Sequence, residues 1–222
     1  MNKLSIVANL KSYKTESEAK EWLEKLKTGL NNEDFIKEKE LIVCPSYTLL
    51  HQFKTFFSEN NLNIKLGGQN ISQFSEGAYT GEVNAKQVKE FADYTLIGHS
   101  ERRTHFNEDD DILSQKIKLA RENGLNTIFC VQGSDAFVPE GVNILAYEPV
   151  FAIGSGNPDT PDNADNVARE LLEKHSGISI LYGGSVTSEN VNSFVSKENI
   201  SGVLVGGASL EAEELIQIVK NA

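Results

Sequence analysis

The chain has 222 residues, of which 39% are hydrophobic and 24% are charged. That composition excludes intrinsically disordered, collagen-like and low-complexity proteins, and it leaves ample length for a single domain spanning residues 1–222. The formal net charge of −11 argues against nucleic acid or a membrane surface as a partner, because both require a basic face. A small anionic ligand would need a local positive pocket.

The two cysteines and the N-terminus bear on the cellular compartment. Cys44 and Cys130 both lie inside apolar runs, a placement typical of buried thiols in a reducing compartment rather than of a disulfide framework. The apolar stretch near the N-terminus is too short and too polar for a secretory signal. We therefore expect a cytoplasmic protein.

Eight short apolar runs rich in β-branched residues predict eight strands. They cover residues 5–8, 41–44, 64–66, 94–97, 127–131, 144–147, 178–182 and 203–205. Segments with the apolar spacing of amphipathic helices lie between most of them. Thr15 and Glu18 form a capping-box pattern, and Thr160 precedes a proline at a first helical position. Asn107 is likewise expected to cap a helix whose first turn carries the acids at 108–111, in preference to a metal site.

Strand and helix alternate through the chain, which predicts a compact (β/α)8 barrel. An open doubly wound sheet is the alternative, but it would normally carry a glycine-rich turn after the first strand, and residues 9–13 contain no glycine. One unit is irregular, because residues 132–142 are too few for a full crossover helix. The helix after the fifth strand is therefore expected to be much reduced.

In such a barrel, functional residues follow the carboxyl ends of the strands. In this chain those residues are polar: Asn9, Lys11, Gln69, Asn70, His99, Ser100, Glu101, Arg102, Arg103 and Glu148. Glycine pairs at 183–184 and 206–207 follow the last two strands, where exposed N–H groups at helix starts can hold a phosphate. Either pair alone fits a tight turn, whereas the two together favour an anion-binding pocket.

Glu148 is the candidate general base, because removal of a carboxylate from water raises its pKa toward the working pH. His99 is a candidate for polarising a carbonyl or moving a proton, and Lys11 for stabilising negative charge on an oxygen. The spacing alone also fits a Glu148 that is exposed to solvent, a His99 with only a structural role and a Lys11 on the protein surface.

The remaining polar residues have plainer interpretations. Gln69 and Asn70 fit loop amides, and Arg102 and Arg103 fit either ion pairs of a loop or charges that offset the negative field near a site. Residues 149–156 are apolar with glycines at the far end. They suit a lid that closes over a ligand and excludes water, or an ordinary connecting loop.

Together these residues resemble the triosephosphate isomerase family from Val7 to the C-terminus. The resemblance rests on six motifs: Asn9-x-Lys11, Gly-Ala-Tyr-Thr-Gly-Glu at 77–82, Gly-His-Ser-Glu-Arg-Arg at 98–103, Ala-Tyr-Glu-Pro-Val-Phe-Ala-Ile-Gly-Ser-Gly at 146–156, Tyr-Gly-Gly-Ser-Val at 182–186 and Leu-Val-Gly-Gly-Ala-Ser-Leu at 204–210. It implies an enzyme without metal or organic cofactor that interconverts dihydroxyacetone phosphate and glyceraldehyde 3-phosphate.

The resemblance also implies roles for individual residues. Glu148 would move a proton between C1 and C2 through an enediol(ate), with neutral His99 as the electrophile, an assignment known for this family. Lys11 and Asn9 would contact the substrate oxygens, and Glu101 would position the lysine. The phosphate would bind N–H groups at Gly154, Ser185, Gly206 and Gly207.

Thr80 resembles a residue of the family's third loop, which inserts into a neighbouring subunit, so the resemblance implies a homodimer. The reduced helix after the fifth strand resembles compact archaeal members, some of which are tetramers. Within the lid, Phe151 replaces the usual tryptophan, Ser155 replaces a common threonine, and Asn157 stands where many members carry lysine.

The sequence also allows two alternatives to the isomerase activity that the resemblance implies. One is a different enzyme on a phosphate-binding barrel, and the other is a catalytically silent barrel that binds a phosphosugar. Neither alternative needs Lys11, His99 and Glu148 together.

Overall fold

The computed structural model describes residues 3–30, 36, 38–152 and 157–222. Eight parallel strands form a closed barrel in chain order, and β8 pairs with β1. The strands are β1 (Leu4–Asn9), β2 (Lys39–Cys44), β3 (Lys65–Gly68), β4 (Tyr94–Ile97), β5 (Asn126–Val131), β6 (Ile144–Tyr147), β7 (Ser179–Tyr182) and β8 (Gly202–Val205). The closure confirms the (β/α)8 fold and excludes the open sheet.

Helices surround the barrel. They are α1 (Glu16–Leu30), α2 (Leu50–Glu59), α3 (Ala85–Lys89), α4 (Ser100–Phe106), α5 (Asp110–Glu122), α6 (Pro161–Lys174), α7 (Val191–Val195) and α8 (Ala212–Asn221). Residues 132–143 are all described and contain bends and turns but no helix. The predicted reduction after the fifth strand is therefore confirmed.

The helix caps agree with the sequence at two of three places. The Thr15 N–H donates to Glu18 Oε2 at 2.7 Å, and the Asn163 N–H donates to Thr160 Oγ1 at 3.2 Å. The expectation for Asn107 was wrong, because Asp109 caps α5. Asn107 instead ends α4 with a left-handed φ of 52°, because a helix that the sequence pattern did not predict precedes it.

Side chains alternate between the two sides of the barrel wall, as the period of two along a strand requires. The inward residues form a core of their own: Val7, Ile42, Cys44, Leu96, Ile128, Cys130, Ile144, Ala146, Leu181 and Leu204. Outward residues such as Ile6 and Ala8 pack against the helices in a larger cluster. Both cysteines are buried and free, as expected. None of the described helices is long and apolar enough to cross a bilayer.

Candidate active site

Glu148 lies on the inner side of the barrel rim. Ile144 and Ala146 face the interior, so the residue two positions further points the same way. The Glu148 N–H donates to the Val131 carbonyl at 2.7 Å, which continues the pairing of β6 with β5. The whole residue is only 2% exposed, so it is a buried carboxylate rather than the solvated glutamate that spacing alone left open.

Three neighbours surround the Glu148 carboxylate. His99 Nε2 lies 3.1 Å from Oε1, and the Ser100 N–H donates to Oε2 at 3.1 Å. The buried Cys130 thiol lies close enough to interact with the same group. Burial raises the pKa of Glu148, against the opposing effect of His99 and of the Ser100 N–H. The raised pKa brings a carboxylate closer to the range in which it exchanges protons at neutral pH.

His99 is oriented by the start of α4. Its Nδ1 accepts a hydrogen bond from the Glu101 N–H at 3.2 Å. A ring nitrogen that accepts a hydrogen bond carries no proton, so the proton of the neutral ring is on Nε2. That nitrogen faces Glu148, and the imidazole is thus arranged as a hydrogen-bond donor toward the interior of the site.

Lys11 has a left-handed backbone, with φ of 51°, which is uncommon for a residue with a side chain. Asn9 Oδ1 accepts from the Lys11 N–H at 3.0 Å. The Gln69 amide donates to the carbonyls of Lys11 and Cys44, each at 2.8 Å. Gln69 is therefore a structural part of the site that the sequence interpretation left as a loop amide. The sequence feature that pointed to Gln69 was its position, as a polar residue directly after a strand.

Glu101 holds the side chain of Lys11. The Lys11 ammonium lies 2.5 Å from Glu101 Oε1, and Glu101 Oε2 lies 3.7 Å from His99 Nδ1. Burial acts to raise the pKa of Glu101, but the hydrogen bond from Lys11 and the positive charge of that lysine outweigh it and lower the pKa. Glu101 is thus an ionised anchor for the lysine.

Lys11, His99 and Glu148 border one cavity of about 290 Å³, and Glu101 lies behind them, outside its lining. The cavity is lined by Asn9, Lys11, His99, Glu148, Ser185, Gly206 and Gly207, among others. The glycine-bearing turn after β8 is tied to β1, because the Ser209 hydroxyl lies 2.7 Å from the Gly206 carbonyl and 3.2 Å from the Asn9 carbonyl. The structure therefore brings the predicted base, electrophile, cation and anion-binding turns together.

Comparisons with known proteins agree with this geometry. The sequence model of the triosephosphate isomerase family matches residues 4–222. The triosephosphate isomerase of Dehalococcoides mccartyi is 38% identical over an alignment of 251 positions, covering 100% of this chain and 97% of that protein. The chain belongs to the triosephosphate isomerase family.

Two further matches cover nearly the whole chain. The triosephosphate isomerase of Carboxydothermus hydrogenoformans is 39% identical over an alignment of 255 positions, which spans 100% of both chains. The crystal structure of triosephosphate isomerase from Bartonella henselae superposes with a TM-score of 0.82 at 30% identity, covering 99% of this chain and 98% of that one. Membership of the triosephosphate isomerase family makes the chain an isomerase built on a (β/α)8 barrel.

Parts of the family's lid lie outside the described residues, among them Gly154 and Ser155. Before that gap, residues 150–152 form a short 3₁₀ turn in which Phe151 is 64% exposed. The Ser185 hydroxyl donates to the Ala152 carbonyl at 2.6 Å. The turn after β7 is therefore bonded directly to the start of the family's lid segment.

Other predicted residues lie away from the cavity. Arg102 pairs with Glu108 at 2.6 Å, and Arg103 donates to the carbonyls of Gly98 and Cys130. These arginines connect α4 to its surroundings and do not line the cavity. Residues 100–106 are helical, where the sequence interpretation had a loop.

Asn70 and Thr80 also lie outside the cavity. Asn70 Oδ1 accepts from Lys116 at 2.7 Å. Thr80 is exposed within a protruding loop that connects β3 to α3, and Phe74 and Tyr79 stack on each other in that loop with centroids 4.1 Å apart.

Proposed function

We propose that the protein interconverts dihydroxyacetone phosphate and D-glyceraldehyde 3-phosphate by proton transfer through an enediol(ate). The observation that carries this proposal is the convergence of Glu148, His99 and Lys11 on one cavity. The family supplies the substrate class, and these three side chains supply the groups that such a proton transfer needs.

Glu148 acts as the base. It removes a proton from the carbon next to the carbonyl and returns it to the neighbouring carbon, so the substrate gains and loses one proton overall. His99 donates from Nε2 to the substrate oxygens, and the Lys11 ammonium stabilises the negative charge that develops on oxygen. Asn9 fixes the backbone turn that carries Lys11 and contributes an amide at the same rim.

The phosphate binds at the turns after β7 and β8, which line the same cavity as Glu148. Backbone N–H groups at Ser185, Gly206 and Gly207 would hold the dianion, as expected of barrels with phosphate sites after these strands. Lys11 lies close to this turn, because a Cβ on Gly206 would be 3.2 Å from Lys11 Cε. Gly154 is proposed to add an N–H from the lid.

A coupled assay with glyceraldehyde 3-phosphate tests the activity. The wild-type protein should turn over the substrate without added metal, and Glu148→Gln should reduce kcat by orders of magnitude while inorganic phosphate still competes with substrate. Each tenfold loss corresponds to about 1.4 kcal/mol of barrier. A wild-type protein that binds phosphate but shows no turnover would identify the silent barrel instead. Turnover that Glu148→Gln leaves intact would remove the assignment of the base.

We also propose that the enzyme works as a homodimer in the cytoplasm. The exposed loop around Thr80, with its stacked Phe74 and Tyr79, supports insertion into a second subunit. The buried Cys44 and Cys130 thiols suit a reducing compartment. Light scattering should give a particle of twice the chain mass. A particle of four times that mass would mean that the compact barrel assembles further, into a tetramer. An active monomer would refute the bracing role of Thr80.

A further inference from the structure

Asp159 forms a buried hydrogen-bond cluster outside the cavity, just before α6. It is only 8% exposed. Oδ2 accepts from the Tyr147 hydroxyl at 3.1 Å and from the Asn163 amide at 2.7 Å, and Oδ1 accepts from the Thr160 N–H at 2.8 Å. Its own N–H donates to the Tyr182 hydroxyl at 2.8 Å. One residue therefore contacts tyrosines on two neighbouring strands.

The cap of α6 does not require this carboxylate. Thr160 already accepts from the Asn163 N–H, and Asp162 supplies an acid in the first turn. Burial of a carboxylate without a cationic partner is costly unless hydrogen bonds satisfy its oxygens. Among the described residues, the donors to the Asp159 carboxylate named above are a hydroxyl, a side-chain amide and a backbone N–H, none of which is a cation.

The two tyrosines immediately precede the two halves of the site. Tyr147 is followed by Glu148, and Tyr182 is followed by Gly183 and the phosphate turn. The Gly183 N–H donates to the Tyr147 carbonyl at 2.8 Å, so the strand ends are also bonded directly. Burial, then the charge of Asp159 and its hydrogen bond, raise the pKa of Tyr147, which keeps the hydroxyl protonated as a donor.

We propose that Asp159 is a positioning residue that fixes the end of β6, and with it Glu148, through the Tyr147 hydroxyl. This role rests on the isomerase function proposed above. The carboxylate acts on the strand that carries the base, whereas the backbone N–H of the same residue acts on the strand that carries the phosphate turn. A side-chain substitution therefore disturbs the first link and leaves the second in place.

Asp159→Ala separates these two links. It leaves the Tyr147 hydroxyl buried without its acceptor but keeps the N–H to Tyr182. We expect kcat to fall about tenfold, while competitive inhibition by inorganic phosphate and by glycerol 3-phosphate stays within twofold of wild type. Asp162→Ala is the matched control, because Asp162 is an exposed acid in the first turn of the adjoining helix α6 and pairs with Lys197. Its kcat should equal that of wild type.

Tyr147→Phe provides a second route to the same link in case Asp159→Ala folds poorly. It removes the donor and should lower kcat by a similar factor, and the double variant should be no slower than the slower single variant, because both changes remove one interaction. Equal kcat for Asp159→Ala and Asp162→Ala, or a loss confined to phosphate inhibition, would overturn the positioning role. A wild-type protein without turnover would instead overturn the isomerase function itself, and the inference with it.

Discussion

Glu148 combines a charge required for chemistry with nearly complete burial. Burial raises its pKa, and His99 and the Ser100 N–H oppose the rise without cancelling it. The native state therefore binds the proton more tightly than the unfolded chain, in which the pKa of glutamate is about 4.3. The stability that this group contributes is fully present below the unfolded pKa and is lost as pH rises through the folded pKa.

Glu148→Gln should for this reason unfold at a higher temperature than wild type at pH 7, and the difference should shrink as the pH falls toward 4. Glu101→Gln is the matched comparison of opposite sign. The pKa of Glu101 is lowered, so its contribution is present above the unfolded pKa and is lost as pH falls through the folded pKa. Calorimetry of both variants at pH 4 and pH 7 checks the pair. A lower unfolding temperature for both at pH 7 would contradict the cost assigned to Glu148.

Gly183 provides a steric test of where Glu148 must lie. A Cβ at Gly183 would be 3.0 Å from Glu148 Cγ and 3.3 Å from the Tyr147 carbonyl oxygen. Gly183→Ala should push the carboxylate by a few tenths of an ångström and lower kcat by about tenfold, since proton transfer depends on near-attack geometry. Gly133→Ala is the control, because no atom lies within 4 Å of a Cβ there. Equal kcat for the two variants would show that the base tolerates displacement.

At the scale of elements, α4 shows what the sequence could not predict. Its seven residues are polar around most of the helix, so no apolar period marks it. The His99 side chain caps its first turn. Arg103 donates to the carbonyl of Gly98, just after β4, and to that of Cys130 in β5. The strands and the absence of a helix between β5 and β6 were predictable because apolar runs and the length of a connecting segment are local properties.

The same distinction applies to the candidate site. Glu148, His99 and Lys11 were predictable because each follows a strand, and strand ends meet at one rim. The contribution of Gln69 was not, because its bond to Lys11 joins residues 58 positions apart. The contacts of Ser100 and Cys130 with Glu148 were not predictable for the same reason, since they exist only in the folded barrel.

The buried pair of Glu108 and Lys116 joins α5 to the segment that follows α4. Lys116 Nζ lies 2.5 Å from Glu108 Oε1, and both side chains are 4% exposed. Removal of one partner of a buried pair leaves the other charge uncompensated, so Glu108→Gln should cost about 3–5 kcal/mol of unfolding free energy. The exposed Asp110, paired with Arg103, gives the control Asp110→Asn, which should cost less than about 1 kcal/mol. Urea denaturation measures both, and a cost for Glu108→Gln no larger than that for Asp110→Asn would contradict the penalty assigned to the uncompensated charge.

At the scale of the whole molecule, a chain of net charge −11 must admit a doubly negative substrate. The positive potential at the site is local, because it comes from Lys11 and from N–H groups at the turns after β7 and β8, whereas the negative charges are spread over the surface. The Debye length is about 30 Å at 0.01 M salt and about 8 Å at 0.15 M. Salt therefore screens the distant carboxylates before it weakens the partly buried Lys11.

We accordingly expect kcat/KM to rise as potassium chloride is increased from about 0.01 M to about 0.15 M, where the Debye length falls below most distances across the barrel. The rise should lie in KM, because salt screens the buried and partly buried charges of the site only weakly, and those charges determine kcat. Unphosphorylated glyceraldehyde is the control substrate, since an uncharged molecule does not experience the net field and its kcat/KM should not change. A steady fall of kcat/KM for the phosphorylated substrate would mean that the local positive potential already dominates at the mouth of the barrel, and that the net charge has no part in substrate capture.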